Sequence, residues 1–169
     1  PKPEGRAVCD DDIRAAAERA EAWAEYAEQF GLELSYHIHT NTLIDSKLDW
    51  QRYMCGLEKA KLCIDVSHAE LWGYDPVEAI RDYSDRINYI HLQDYSSTST
   101  NTEGQYVPVW CDVGDGRMEF RRILDALEEI GYKGWVTSCP GEPVVGAEDP
   151  LSEVRRSAKA RGFLKRLGC

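Results

Sequence analysis

Four short segments gather residue types that can do chemistry. They are His37 with His39, Asp65 with His68, His91 with Asp94, and Cys139 with Glu142. All four histidines of the chain lie in these segments. A divalent cation needs three or four N, O or S donors converging from different elements. Asp65 offers a carboxylate oxygen, and His37 and His91 offer imidazole nitrogens. Such a mixed set suits Mn, Co, Zn or Fe better than Ca. Each residue alone has a plain explanation. A single strand-end His is commonly just a hydrogen-bonded neighbour, and Asp65 alone can cap a turn. Their recurrence at one structural level points to a metal or polyol site.

That level is set by the elements before each segment. Leu32 to His39 alternates like a strand, and Lys61 to Val66 is a short apolar one of the buried parallel kind. Ile87 to Leu92 and Trp135 to Cys139 read as two more strands. Helices separate them. Ile13, Ala16, Ala17, Ala20, Trp23, Ala24, Ala27 and Phe30 recur at three- and four-residue steps, predicting a helix over 11–30. Asp10 to Asp12 supply its N-cap and first-turn charge, and Gly31 ends it. Asp45 or Ser46 opens a second helix, Asp75-Pro76 a third and Met118 a fourth. Pro150 to about Leu167 is the last. Tyr95 to Trp110 reads as a polar loop, and its Ser96 to Thr100 run is either a lid over the site or inert surface. Pro140 to Asp149 reads as another loop.

Strands alternating with helices imply an α/β fold of parallel (β/α) units, with about four strands and five helices. In such sheets the chemistry collects at the carboxyl ends of the strands, where the four segments lie.

Composition narrows the partners. The 169 residues are 43% hydrophobic and 30% charged, as globular domains are. Acids outnumber bases 30 to 20, so nucleic acid is a poor partner. No apolar run approaches the ~20 residues of a membrane span. The six cysteines form no CxxC pair, and a reduced, cytoplasmic setting is expected. G-x-S-x-G is absent, so no nucleophile elbow is expected.

The residues resemble a known family. Cys63-Ile64-Asp65-Val66-Ser67-His68 looks like the "LDTGH" segment of the xylose-isomerase-like TIM barrels. Asp85 to Asp94 resembles their "DRIxHxHLKD". Tyr36-His37-Ile38-His39 resembles the "YHPH" of the inosose dehydratase-like branch. Val113 to Phe120 followed by Ile130 to Trp135 resembles "LGxGxxDF…IGYxGW". The resemblance runs from about Asp10 onward. It implies sugar isomerases, epimerases and inosose dehydratases that act on polyols or keto-sugars with a bound divalent metal. Its ligands would be His37, Asp65 and His91. His68 would touch substrate or support a ligand. His39, Trp72 and Asp94 are further candidate substrate contacts, with helix packing as the plain alternative for Trp72.

Two departures follow. The family's last strand ends in a glutamate that binds metal and moves protons, and Cys139 stands there. A thiolate can ligate Zn or Co but shuttles protons to carbon poorly. Glu142, three residues on, either reaches in as the acid/base or is a solvated loop acid. Second, the family barrel has eight strands, and this chain supplies four. Residues 1–169 are therefore expected to be one partial barrel domain, strands five to eight, with 1–9 leading into its first helix. It is expected to need the N-terminal half-barrel or a self-partner. The expected activity is metal-dependent isomerisation, epimerisation or dehydration, by proton transfer beside a polarised carbonyl. The alternative is a relative that binds metal or sugar without turnover. A multi-zinc DNA-repair nuclease of the same superfamily is disfavoured by the acidic charge.

Overall fold

The structure is a computed structural model that describes residues 2–3, 5–142 and 151–169. α1 (Asp10–Glu28) starts after Cys9, whose N–H donates to Asp12 Oδ2 at 3.0 Å. The cap is therefore Cys9 rather than one of the aspartates. The helix stops at Gly31, whose φ of 69° suits a residue without Cβ. Ile13, Ala17 and Ala24 are buried, but Trp23 and Phe30 are more than 60% exposed. The apolar stripe seen in sequence is thus wider than the face that packs.

β1 (Ser35–His37) is shorter than the alternation suggested. α2 (Lys47–Cys55) is capped by Ser46, whose Oγ accepts from Asp49 N at 3.1 Å. β2 (Lys61–Asp65) leads at once into α3 (Val66–Leu71), a helix not expected from sequence. α4 (Pro76–Asp82) follows an Asp75 cap with Pro76 in its first turn. β3 (Ile87–Leu92) is followed by β4 (Asp94–Thr100) and β5 (Tyr106–Cys111). These two form an antiparallel hairpin where a loop was expected. The Ser/Thr run favours extended backbone without an apolar face to reveal it. Asn101 closes its tip by accepting from Glu103 N and Gln105 N. α5 (Phe120–Glu129), β6 (Trp135–Ser138) and α6 (Ser152–Arg166) complete the described elements. The segment 143–150, most of the expected Pro/Gly-rich loop, lies outside the described residues.

β1, β2, β3 and β6 form one parallel sheet in that order. Ile38, Leu62, Ile64, Ile90 and Leu92 are fully buried in the helix-packed core. Alternation then sends Cys63, Asp65, Tyr89 and His91 to the other face. Within the described residues that face is partly open, and Trp135 on it is 75% exposed. β1 and β6 are the edges of this four-stranded sheet, so the barrel does not close. No helix among the described residues is long and apolar enough to cross a membrane.

Candidate functional site

Strand register brings the expected donors side by side. Asp65 is paired with His91 across β2 and β3, and His37 with Cys63 across β1 and β2. Cys139 follows β6, and its N–H donates to Leu92 O at 2.8 Å, next to His91.

Asp65 is the centre of the group and is 1% exposed. Its Oδ1 accepts from Ser67 N at 3.1 Å, Ser67 Oγ at 2.8 Å and His68 N at 3.4 Å, which caps α3. Its Oδ2 is turned to His37 Nε2 at 3.6 Å and His91 Nδ1 at 3.9 Å. Burial opposes the charge of Asp65. The adjacent His37 ring, the nearby His68 ring and hydrogen bonding from Ser67 outweigh it and hold the carboxyl below its usual range. Burial and the neighbouring His37 push His91 down, with Asp65 opposing. Burial pushes the Cys63 and Cys139 thiols each up to about 12, and the Asp65 charge adds to it.

The ligand atoms of Asp65, His91 and Cys139 lie within 4.8 Å of one another, and so do those of His37, Cys63 and His91. His91 belongs to both sets. A charged, buried carboxylate with one oxygen aimed at two imidazoles, bordered by thiols, fits a divalent cation of the zinc or cobalt type better than a hard one. Cys63 escaped the sequence reading. Its signal was there, since it lies two residues before Asp65 on the same strand face.

A second histidine pair adjoins the cluster. The His39 and His68 rings overlie with centroids 4.0 Å apart. Thr40, buried, bridges them: its carbonyl is 2.8 Å from His39 Nδ1, and its N–H donates to His68 Nδ1 at 3.3 Å. Burial pushes His68 down to about 4, so it stays neutral. Trp110 of the hairpin packs edge-on against His68 at 5.1 Å. Asn41 ties the hairpin down, donating to Tyr106 O and accepting from Tyr106 N, each at 2.9 Å. The expected loop is thus a braced strand pair over His68.

Three expected contacts are placed elsewhere. Asp94 is fully buried, and its oxygens accept from the backbone N–H groups of Tyr95, Gly114, Gly116 and Met118 at 2.9–3.1 Å. It is an anchor for the following turn, with no oxygen left for a substrate hydroxyl. Trp72 is buried, packs near Trp50 and donates its Nε1–H to Asp45 Oδ1 at 3.2 Å. It takes the packing role that was its plain alternative. Glu142 is exposed and belongs to neither donor set.

The family model described as xylose isomerase-like TIM barrel matches residues 2–167. The chain belongs to this family. Among curated proteins, this xylose isomerase-like chain is 29% identical over 138 residues to an inosose dehydratase of Lacticaseibacillus casei, covering 75% of itself and 46% of that protein. It is 31% identical over 129 residues to an inosose dehydratase of Geobacillus kaustophilus, covering 67% and 40%. The chain spans about half the length of the curated relatives it matches. Among solved structures, a D-tagatose 3-epimerase-like protein superposes with a TM-score of 0.72 at 17% identity, over 98% of this chain and 58% of that one. D-allulose 3-epimerase from Methylomonas sp. gives 0.71 at 19% identity, over 98% and 59%. At these identities the structures speak for the fold.

Proposed function

We propose that the protein carrying this chain is a divalent-metal-dependent enzyme of inositol-type keto-polyols or keto-sugars. It moves a proton at the carbon beside the carbonyl, as a dehydratase, epimerase or isomerase. The observation that carries the reading is Asp65, buried and charged, with one oxygen facing His37 and His91 beside Cys139. The similarity to inosose dehydratases supports the substrate class. His37, Asp65, His91 and Cys139 would hold the metal, with Cys63 as a neighbouring donor. When bound, a Zn- or Co-type ion supplies Lewis-acid polarisation of a substrate oxygen.

The chain's own residues do the rest. Asp65 lends negative charge that only a cation relieves. Neutral His68 and the neighbouring His39 would meet the substrate's oxygens. Trp110 of the hairpin covers the buried His68, while His39 stays exposed. The four parallel strands stand as strands five to eight of the barrel. The remaining β/α units, or a second copy, would pair with the β1 edge. There a groove of about 450 Å³, lined by Trp23, Leu34 and Tyr36, reaches His37.

The test is proton NMR of the metal-loaded intact protein with an inosose and a keto-hexose in D2O. Deuterium should enter beside the carbonyl, with loss of water or inversion as the product. No exchange with any such substrate overturns the proposal.

A second reading, binding without turnover, is favoured by one observation. Cys139, a thiol that burial keeps protonated, stands where the resemblance implies a glutamate, and exposed Glu142 does not replace it. Under that reading Cys139→Glu creates exchange that the natural protein lacks. Under the first, the substitution lowers a rate already present.

A further inference from the structure

We infer that His37, Cys63 and His91 form a second cation position in this centre, and that it takes Cu+. The position stands on its own donors, and only its effect on turnover rests on the function proposed above. β1, β2 and β3 lie side by side and supply one donor each. Register pairs His37 with Cys63, and His91 lies two residues beyond Tyr89, the partner of Cys63 on β3. The His37 and His91 ring centroids are 4.5 Å apart. One nitrogen of each ring and Cys63 Sγ lie within 4.8 Å of one another, close enough to converge on one ion. Cys63 has a plain alternative as a small buried hydrophobe. Its surroundings argue against that. It is 5% exposed, yet it stays out of the apolar core that takes its neighbours Leu62 and Ile64. Strand alternation sends it to the face of Asp65 and His91, where it meets two imidazoles.

The donor types decide the cation. Two imidazoles and a thiolate, with no oxygen, are a soft set that copper accepts in trigonal geometry, whereas Zn2+ asks for a fourth ligand. The set of Asp65, His91 and Cys139 includes a carboxylate, which suits a harder, divalent ion. On ligation the Cys63 thiol gives its proton to solvent, and copper stays Cu+ throughout. Cys63 lies two residues before Asp65, so its sulfur reaches the centre from about 7 Å nearer the strand starts. An imidazole offers a metal one lone pair, so His91 serves one ion at a time. Cu+ therefore displaces the divalent ion and inhibits the enzyme.

The test is anaerobic titration of the intact protein with Cu+ against bicinchoninate as competing chelator. The exposed thiols are first removed by Cys9→Ser, Cys55→Ser and Cys169→Ser. About one Cu+ per chain should resist the chelator, and copper X-ray absorption should show sulfur and nitrogen neighbours in a ratio of about one to two. Cys63→Val keeps an apolar strand residue and should weaken Cu+ binding more than about 100-fold, with the Zn- or Co-type content unchanged. Cys139→Ser should still bind Cu+ and still show the sulfur, which keeps the test decisive if the Cys63 variant does not fold. Cu+ held as tightly by folded Cys63→Val, or lost from Cys139→Ser, would overturn the inference, and so would a second sulfur neighbour. Cu+ bound with a single sulfur, in a protein that turns over no keto-polyol, would sink the proposed activity and leave the copper position standing.

Discussion

Asp65 ends β2 and Asp94 opens β4 just past the end of the neighbouring parallel strand β3, and both are buried almost completely. They differ in what their oxygens receive. Asp94 accepts four backbone N–H groups, which spend both of its oxygens on the turn running to Met118. Asp65 spends one oxygen on the start of α3 and turns the other to two imidazoles beyond hydrogen-bond range. Burial alone therefore does not mark a carboxylate that could hold a cation. The unspent lone pair does, because a cation or a proton must have somewhere to go.

The largest effect is expected at Asp94. Asp94→Ala strands three amides of the 114–118 turn and should cost about 4 kcal/mol, read by urea unfolding. Asp65→Asn keeps an oxygen for the α3 cap and removes the charge. It should change stability by less than about 1 kcal/mol while lowering turnover about 100-fold or more. If the two variants exchange these phenotypes, the division of roles is wrong.

A third prediction concerns His68, whose pKa falls from 6.5 to about 4 in the folded protein. Between those values the unfolded chain takes up a proton that the folded one refuses. Stability should therefore fall as pH drops from about 6.5 to about 4, by up to about 3 kcal/mol at 1.36 kcal/mol per unit, and level off below. His68→Gln should flatten that slope in unfolding curves at pH 4, 5, 6 and 7. Gly116→Ala tests the Asp94 side again. A Cβ there would strike the Asp94 carboxylate and Cys111 Sγ, and a loss of about 2 kcal/mol is expected in thermal unfolding. The smallest effect is at Asn41, at φ 60°, whose side chain braces the hairpin. Asn41→Gly relieves the backbone but loses both bonds, and should cost about 1 kcal/mol and loosen amide-exchange protection across β4 and β5.

The sequence showed the parallel strands and most of the helices, because buried strands leave apolar runs and Asp75-Pro76 or Gly31 leave sharp ends. It also showed that His37, Asp65 and His91 share one level, since strand ends fix it. It hid the hairpin, because Ser and Thr extend without an apolar face, and it hid α3, a helix too short for periodicity. The sequence made Asp65 a metal ligand and Asp94 a substrate contact, and what the Asp94 oxygens receive was not legible. Both precede polar turns, and only the placed amides of Gly114, Gly116 and Met118 tell them apart. Thr40 was passed over because its contacts with His39 and His68 run largely through backbone groups that no residue type announces.

The most direct test of the account is metal content per chain, by elemental mass spectrometry, for the intact protein and its Asp65→Asn and Asp94→Asn variants in their folded fractions. About one Zn- or Co-type ion per wild-type chain is expected, with loss of it in Asp65→Asn and retention in the Asp94→Asn molecules that fold. A full complement of metal in Asp65→Asn would contradict it.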